Sequence, residues 1–240
     1  MAYIQKQHAH NIGNGESVSM QIPAGRVVLE GDLSVPEPTQ GMVLFAHGSG
    51  SSRHSPRNRY VARVLQQAGL ATLLFDLLTR DEELVDMRTA GLRFDIPLLA
   101  ERLLQATQWI VQRPEAEGLR IGYFGASTGA AAALVAAAKV PQQLGAVVSR
   151  GGRPDLAGSA LARVQAPTLL IVGGADAAVI DLNRGALDQL RCEKRLEIVP
   201  GASHLFEEPG TLEEVARLAR SWFRAHLGAR QHRPDPGDTR

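Results

Sequence analysis

Arg120-Ile121-Gly122-Tyr123-Phe124-Gly125-Ala126-Ser127-Thr128-Gly129 passes from an apolar run into a turn with a serine between two glycines, and Ala130 opens a stretch dominated by alanine up to Lys139. Alanine is the strongest helix former, so residues 130–139 read as a helix. The apolar residues 119–124 read as a buried strand. A strand that turns this sharply into a helix holds its central residue at an unfavourable backbone angle, and flanking glycines leave room for close backbone approach. Gly-x-Ser-x-Gly alone is a short pattern that occurs by chance. The strand before it and the helix after it give it weight, and they predict a serine presented at a strand end.

Working outward, short apolar runs alternate with helical patterns, which predicts a mostly parallel sheet covered by helices on both faces. Buried parallel strands are expected at 42–46, 71–75, 119–124, 146–149, 168–172 and 195–199. Residues 17–22 and 26–34, split by Pro23-Ala24-Gly25, predict an antiparallel hairpin at the sheet edge. Helical spacing places Val61, Leu65 and Ala68 on one face, and likewise Leu99, Leu103, Ala106 and Ile110. Thr211 with Glu214 predicts a capping box for a last helix ending near Gly228. One α/β domain over residues 1–228 follows, with the first 14 or so residues as a flexible arm and 229–240 as a disordered polar tail.

With 240 residues, 44% apolar and 21% charged, the chain has the composition of a soluble globular protein. Its 26 basic and 25 acidic side chains nearly cancel, so neither a nucleic acid nor a membrane surface is expected as partner. The single cysteine, Cys192, excludes an internal disulfide and suits a reducing compartment. The polar first residues, with His8, His10 and Asn11, lack the apolar centre of a signal peptide, and the expected location is cytoplasmic.

A serine hydroxyl is a weak nucleophile near neutral pH and needs a base beside it, with a group to orient that base. Asp176, in Gly173-Gly174-Ala175-Asp176, follows the strand at 168–172, and His204, in Gly201-Ala202-Ser203-His204, follows the strand at 195–199. Both fall at the rim where open α/β sheets bind ligands. Asp155 is a reserve for the acid and Asp181 a weaker one. His47-Gly48-Ser49-Gly50 follows the strand at 42–46, where the backbone N–H of Ser49, with that of Thr128, would bind a developing oxyanion. His47 itself is expected to order that turn. Arg53, His54, Arg57 and Arg59 follow the turn, and Arg150 and Arg153 follow the strand at 146–149. Two basic clusters are therefore candidates to meet at the mouth and favour an anionic substrate.

These residues resemble the α/β-hydrolase superfamily, over nearly the whole chain, and within it the lidless dienelactone-hydrolase-like group. The motifs that carry the resemblance are His47-Gly48-Ser49-Gly50, the turn at Ser127, Asp176 with Val179, Gly201-Ala202-Ser203-His204, and Phe75-Asp76-Leu77-Leu78-Thr79. In the last of these a structural role is expected for Asp76. Two departures stand out. Dienelactone hydrolases proper use a cysteine nucleophile where this chain has Ser127, and the short link from Ser149 to Thr168 leaves no room for a cap domain. The resemblance implies a serine hydrolase that cleaves carboxylic esters of small molecules through an acyl-enzyme, with Ser127 attacking, His204 as base and Asp176 orienting it. No metal or organic cofactor is called for. A thioesterase or aminopeptidase-type acyl hydrolase, and a non-catalytic binding protein of the same fold, stay open as alternatives, as does the oligomeric state.

Overall fold

The computed structural model describes residues 17–228, so the expected arm over 1–14 and the tail over 229–240 lie outside the described residues. A hairpin of β1 (Ser17–Ala24) and β2 (Val27–Ser34) turns at Gly25, whose φ of 66° suits a residue without Cβ. β2 then pairs antiparallel with β4 (Leu70–Phe75), and from β4 onward every pairing is parallel. The spatial order β1-β2-β4-β3-β5-β6-β7-β8 places β3 (Gly41–Ala46), β5 (Ile121–Ala126), β6 (Leu144–Arg150) and β7 (Thr168–Gly173) in the interior, with β8 (Lys194–Val199) at the far edge. All eight expected strands are present. Interior strands are buried on both faces, which is why they read as unbroken apolar runs, whereas β8 is largely exposed.

Two helical layers cover the sheet. Helices α1 (Pro56–Gln67) and α6 (Thr211–Leu227) lie on one face, where Val61, Leu65, Val215, Ala219 and Phe223 pack on Val43, Phe45, Phe124 and Val148. On the other face, α3 (Ile96–Ile110) and α4 (Thr128–Lys139) bury Leu99, Leu103, Ile110 and the alanine run against Leu44, Leu73, Tyr123 and Val147. Small side chains let α4 lie close to the sheet and to α3. Helix α5 (Ala177–Gln189) and a 3-10 segment at Pro154–Arg163 complete this layer. Helix α2 (Arg80–Thr89), unassigned from sequence along with α5, sits at the rim with Leu84, Val85 and Met87 exposed. No helix among the described residues is long and apolar enough to cross a membrane.

One expected local motif is corrected. The N-cap of α6 is Gly210, in the left-handed region at φ 83°, so Thr211 is already inside the helix. Its hydroxyl donates to Glu208 O at 2.7 Å, and the carboxylate of Glu214 is taken by Arg217. The capping box lies instead at α2, where Thr79 Oγ1 accepts from Glu82 N at 3.2 Å and Glu82 Oε2 accepts from Thr79 N at 2.8 Å.

Candidate active site

Ser127 joins β5 to α4 with φ 50° and ψ −122°, a conformation that side-chain-bearing residues rarely adopt. It is the N-cap of α4 yet makes no capping bond with its side chain, so the hydroxyl is not consumed by its own helix. The neighbouring glycines are required by space. A Cβ on Gly129 would lie 2.2 Å from Ala46 O, one on Gly125 2.4 Å from Ala130 Cα, and one on Gly48 2.9 Å from Ser127 Cβ. The turn is pinned from the next strand too, since Ser127 N donates to Arg150 O and Arg153 N donates to Ser127 O.

The loops after β7 and β8 are stitched to each other before they reach the serine. Gly174 N donates to Val199 O and Ala175 N to Ala202 O, and a Cβ on Gly173 would meet Ala202 O at 2.3 Å. This brings Asp176 and His204 together, with Nδ1 of the histidine 2.7 Å from Oδ2 of the aspartate. Asp176 occupies the N-cap position of α5 but gives its carboxylate to no helix N–H, which leaves it for the imidazole. The reserve acids are engaged elsewhere. Asp155 forms a bidentate pair with Arg153 at 2.9 and 2.7 Å, and Asp181 faces Arg184 at the surface. His204 borders the serine turn through Gly151, where a Cβ would lie 3.0 Å from His204 O and 3.7 Å from its ring. No hydrogen bond joins Ser127 Oγ to the ring among the described residues, a link that commonly tightens only with substrate present.

Across the serine, Ser49 and Thr128 stand side by side, their hydroxyl oxygens 3.1 Å apart. Among the described residues no protein acceptor takes the backbone N–H of either, and Thr128 is the first residue of α4, where the helix dipole adds positive potential. His47 holds this loop. Its Nδ1–H donates to Gly48 O at 3.0 Å and its Nε2 accepts Leu77 N–H at 3.0 Å, a pattern that only the neutral ring can make. Burial accordingly pushes its pKa below the usual imidazole value, against the opposing pull of Gly48 O and Asp76.

A cavity of about 240 Å³ opens beside Ser49 and Thr128, walled by Leu77, Leu78, Met87 and Leu99, with Glu83 and Arg93 among its polar groups. Burial, and then Asp76 and Asp86, push Glu83 upward. Burial works upward on Asp86 as well, but bonds from the Arg93 backbone and guanidinium outweigh it and hold that carboxyl low. The α2 contribution to this wall was not found from sequence, where only the Thr79–Glu82 spacing before the helix could have signalled it.

The expected meeting of two basic clusters is realised only in part. Arg53 is drawn into carboxylates of the sheet, bonding Asp76 through both its backbone and its guanidinium and Glu30 at 2.6 Å. Asp76 thus ties the loop before α1 to the end of β4. His54 is held by Arg59, which also faces Asp32, and Arg153 belongs to Asp155. Arg57 and Arg150 do come within each other's electrostatic reach.

A mostly parallel sheet whose fifth strand ends in so sharp a turn, with the loops after β7 and β8 joined beside it, defines an α/β hydrolase. Comparison of the sequence narrows that class: residues 30–227 match the Dienelactone hydrolase family, and the chain belongs to it. It is similar to a crystal structure of dienelactone hydrolase from Anabaena variabilis ATCC 29413, with 62% identity and a TM-score of 0.87 over 89% of this chain and 99% of that one. A curated protein of Mycobacterium tuberculosis (strain ATCC 25618 / H37Rv), provisionally named a phosphoribosyl transferase, is 60% identical over 208 residues. That match covers 87% of this chain but only 46% of the relative, so the chain spans about half of its length. Est1E from Butyrivibrio proteoclasticus, at 16% identity and a TM-score of 0.72 over 88% of this chain and 98% of that one, shares the fold.

Proposed function

We propose that the protein is a serine hydrolase that cleaves carboxylic esters of small soluble substrates through an acyl-enzyme. The observation that carries this reading is the 2.7 Å contact between His204 Nδ1 and Asp176 Oδ2. With the Nδ1 proton donated to the carboxylate, Nε2 is left as the acceptor, the tautomer a general base requires. As Ser127 Oγ bonds to the ester carbonyl carbon, its proton passes to Nε2 and the carbonyl oxygen becomes an oxyanion facing the N–H groups of Ser49 and Thr128. Each such donor contributes roughly 3 kcal/mol in the transition state. Collapse expels the alkoxide, which takes the proton from His204. Water, deprotonated by the same nitrogen, then releases the acid.

The cavity beside Ser49 suits a small acyl or alkoxy group, because its apolar wall is short and Glu83 and Arg93 bound it. The phosphoribosyl transferase name belongs to a protein about twice the length of the matched region, and the serine, histidine and aspartate of this region support acyl transfer instead.

Labelling with a fluorophosphonate tests the reading. Wild-type protein is expected to take up one equivalent and Ser127→Ala none, with p-nitrophenyl esters turned over faster than thioesters or aminoacyl amides. An unlabelled wild type would favour a binding protein that keeps the fold, and faster thioesters or amides would move the assignment within acyl hydrolases.

A further inference from the structure

Arg150 is the last residue of β6, is 7% exposed, and forms no ion pair with a carboxylate among the described residues. Side chains alternate along a strand, so Arg150 shares the α1/α6 face with Ala146 and Val148. Its Nε and Nη1 are buried without a hydrogen-bond partner among the described residues. Arg57, the second residue of α1, adds a third such donor in its Nε; its one ion pair among the described residues is with the exposed Glu207 at 3.4 Å, and Glu208, which accepts from Ser203 N, and Glu213 line the same surface pocket. Arg102, 8% exposed, also leaves its Nε without a partner, but both of its terminal nitrogens are engaged, donating to Glu82 and to Ala24 O at 2.8 Å.

A buried cation without a partner is costly, and a second guanidinium beside it adds to the cost. Burial first and Arg57 second pull Arg150 down to about 10. A guanidinium presents its donors as a planar fork that matches the geometry of a carboxylate or phosphate. The N-terminus of the twelve-residue α1, capped by Ser55, adds positive potential at Arg57. We propose that Arg57 and Arg150 form an oxyanion-binding site that takes the carboxylate or phosphate group of a small molecule.

The site adjoins the catalytic loops. Arg150 O accepts Ser127 N–H, the next residue abuts His204, and Glu207 lies three residues beyond His204. Arg57, whose side chain is about a third exposed, offers the way in. The occupant is therefore either an anionic group carried by the substrate or a free phosphate.

Two measurements on the full chain test the proposal and separate these sources. In thermal denaturation at matched ionic strength, phosphate a hundredfold above its Kd is expected to raise the wild-type Tm by on the order of 5 °C relative to chloride. Arg150→Met is expected to lose that response and to melt above wild type in phosphate-free buffer, because the unpaired charge is gone. Arg57→Gln, at a more exposed position, weakens the response at least tenfold in apparent Kd and serves if Arg150→Met does not fold. The kinetic arm rests on the ester-hydrolase reading and compares kcat/KM for the p-nitrophenyl ester of succinate with that for the neutral butyrate. A ratio that falls at least tenfold in Arg57→Gln identifies a substrate-borne anion. A phosphate-dependent Tm with an unmoved ratio identifies a free anion. A wild type no more responsive to phosphate than Arg150→Met, with an unmoved ratio, overturns the site and assigns the donors to water. The thermal arm needs no turnover and can be repeated in Ser127→Ala, so its failure is distinct from failure of the ester-hydrolase reading.

Discussion

Ser127 keeps a side chain at φ 50°, where glycine would be at ease, and residues held in such regions cost about 1–3 kcal/mol each. Ser127→Gly is therefore expected to stabilise the fold by about 1 kcal/mol, seen as a higher Tm, while abolishing phosphonate labelling and turnover. Asp176→Asn should leave the fold intact yet lower kcat by about 10⁴, because an amide cannot hold the imidazole with Nδ1–H as donor. A loss below tenfold would show that Asp176 does not orient the base. The positions of the candidate residues Ser127, Asp176 and His204 were legible because each lies past a strand end with glycines nearby. The engagement of Arg53 was not legible, since it depends on Glu30 of β2 and Asp76 after β4, brought together only by the sheet order.

Between elements, His47 acts as a bracket that joins the loop after β3 to the loop after β4. Because burial lowers its pKa in the folded protein, the unfolded chain binds a proton that the folded chain refuses once pH falls below the ordinary value near 6.5. The stabilisation from neutral His47 is thus complete above about pH 6.5 and is lost as pH falls through the lowered folded value. His47→Leu strands the buried Leu77 N–H and should cost about 1–3 kcal/mol at pH 7.5. Its urea midpoint should approach that of wild type as pH drops toward 5. Gly129→Ala tests the close approach of α4 to β3. A methyl 2.2 Å from Ala46 O must displace the serine turn, so soluble expression or labelling should be lost. The capping error at Thr211 has a similar local origin, because Ser/Thr-x-x-Glu spacing does not reveal that Gly210 has already taken the N-cap position in a left-handed conformation.

At the scale of the molecule, hydrophobic periodicity disclosed the strands and the main helices, since unbroken apolar runs are what a doubly covered sheet demands. The antiparallel β2–β4 pairing and the rim position of α2 were hidden, because neither leaves a period of its own in the sequence. Phe223 locks the α1/α6 layer onto the sheet: it is fully buried, and a Cβ on Gly122 would lie 2.8 Å from its ring. Phe223→Ala is expected to cost about 3–5 kcal/mol, measured as a fall in denaturant midpoint with unchanged m.

The far edge of the sheet bears on how copies of this protein meet. β8 ends the sheet with one row of backbone groups open to solvent, a template on which a stray strand could zip. Its residues guard against that. Lys194 sends its ammonium back to Leu187 O and Leu190 O at the end of α5, and Arg195 and Glu197 pair along the strand. The same lysine therefore fastens a helix terminus and posts charge at the seam, so a Lys194→Thr, Arg195→Val double variant should both loosen α5 and invite edge-to-edge polymerisation.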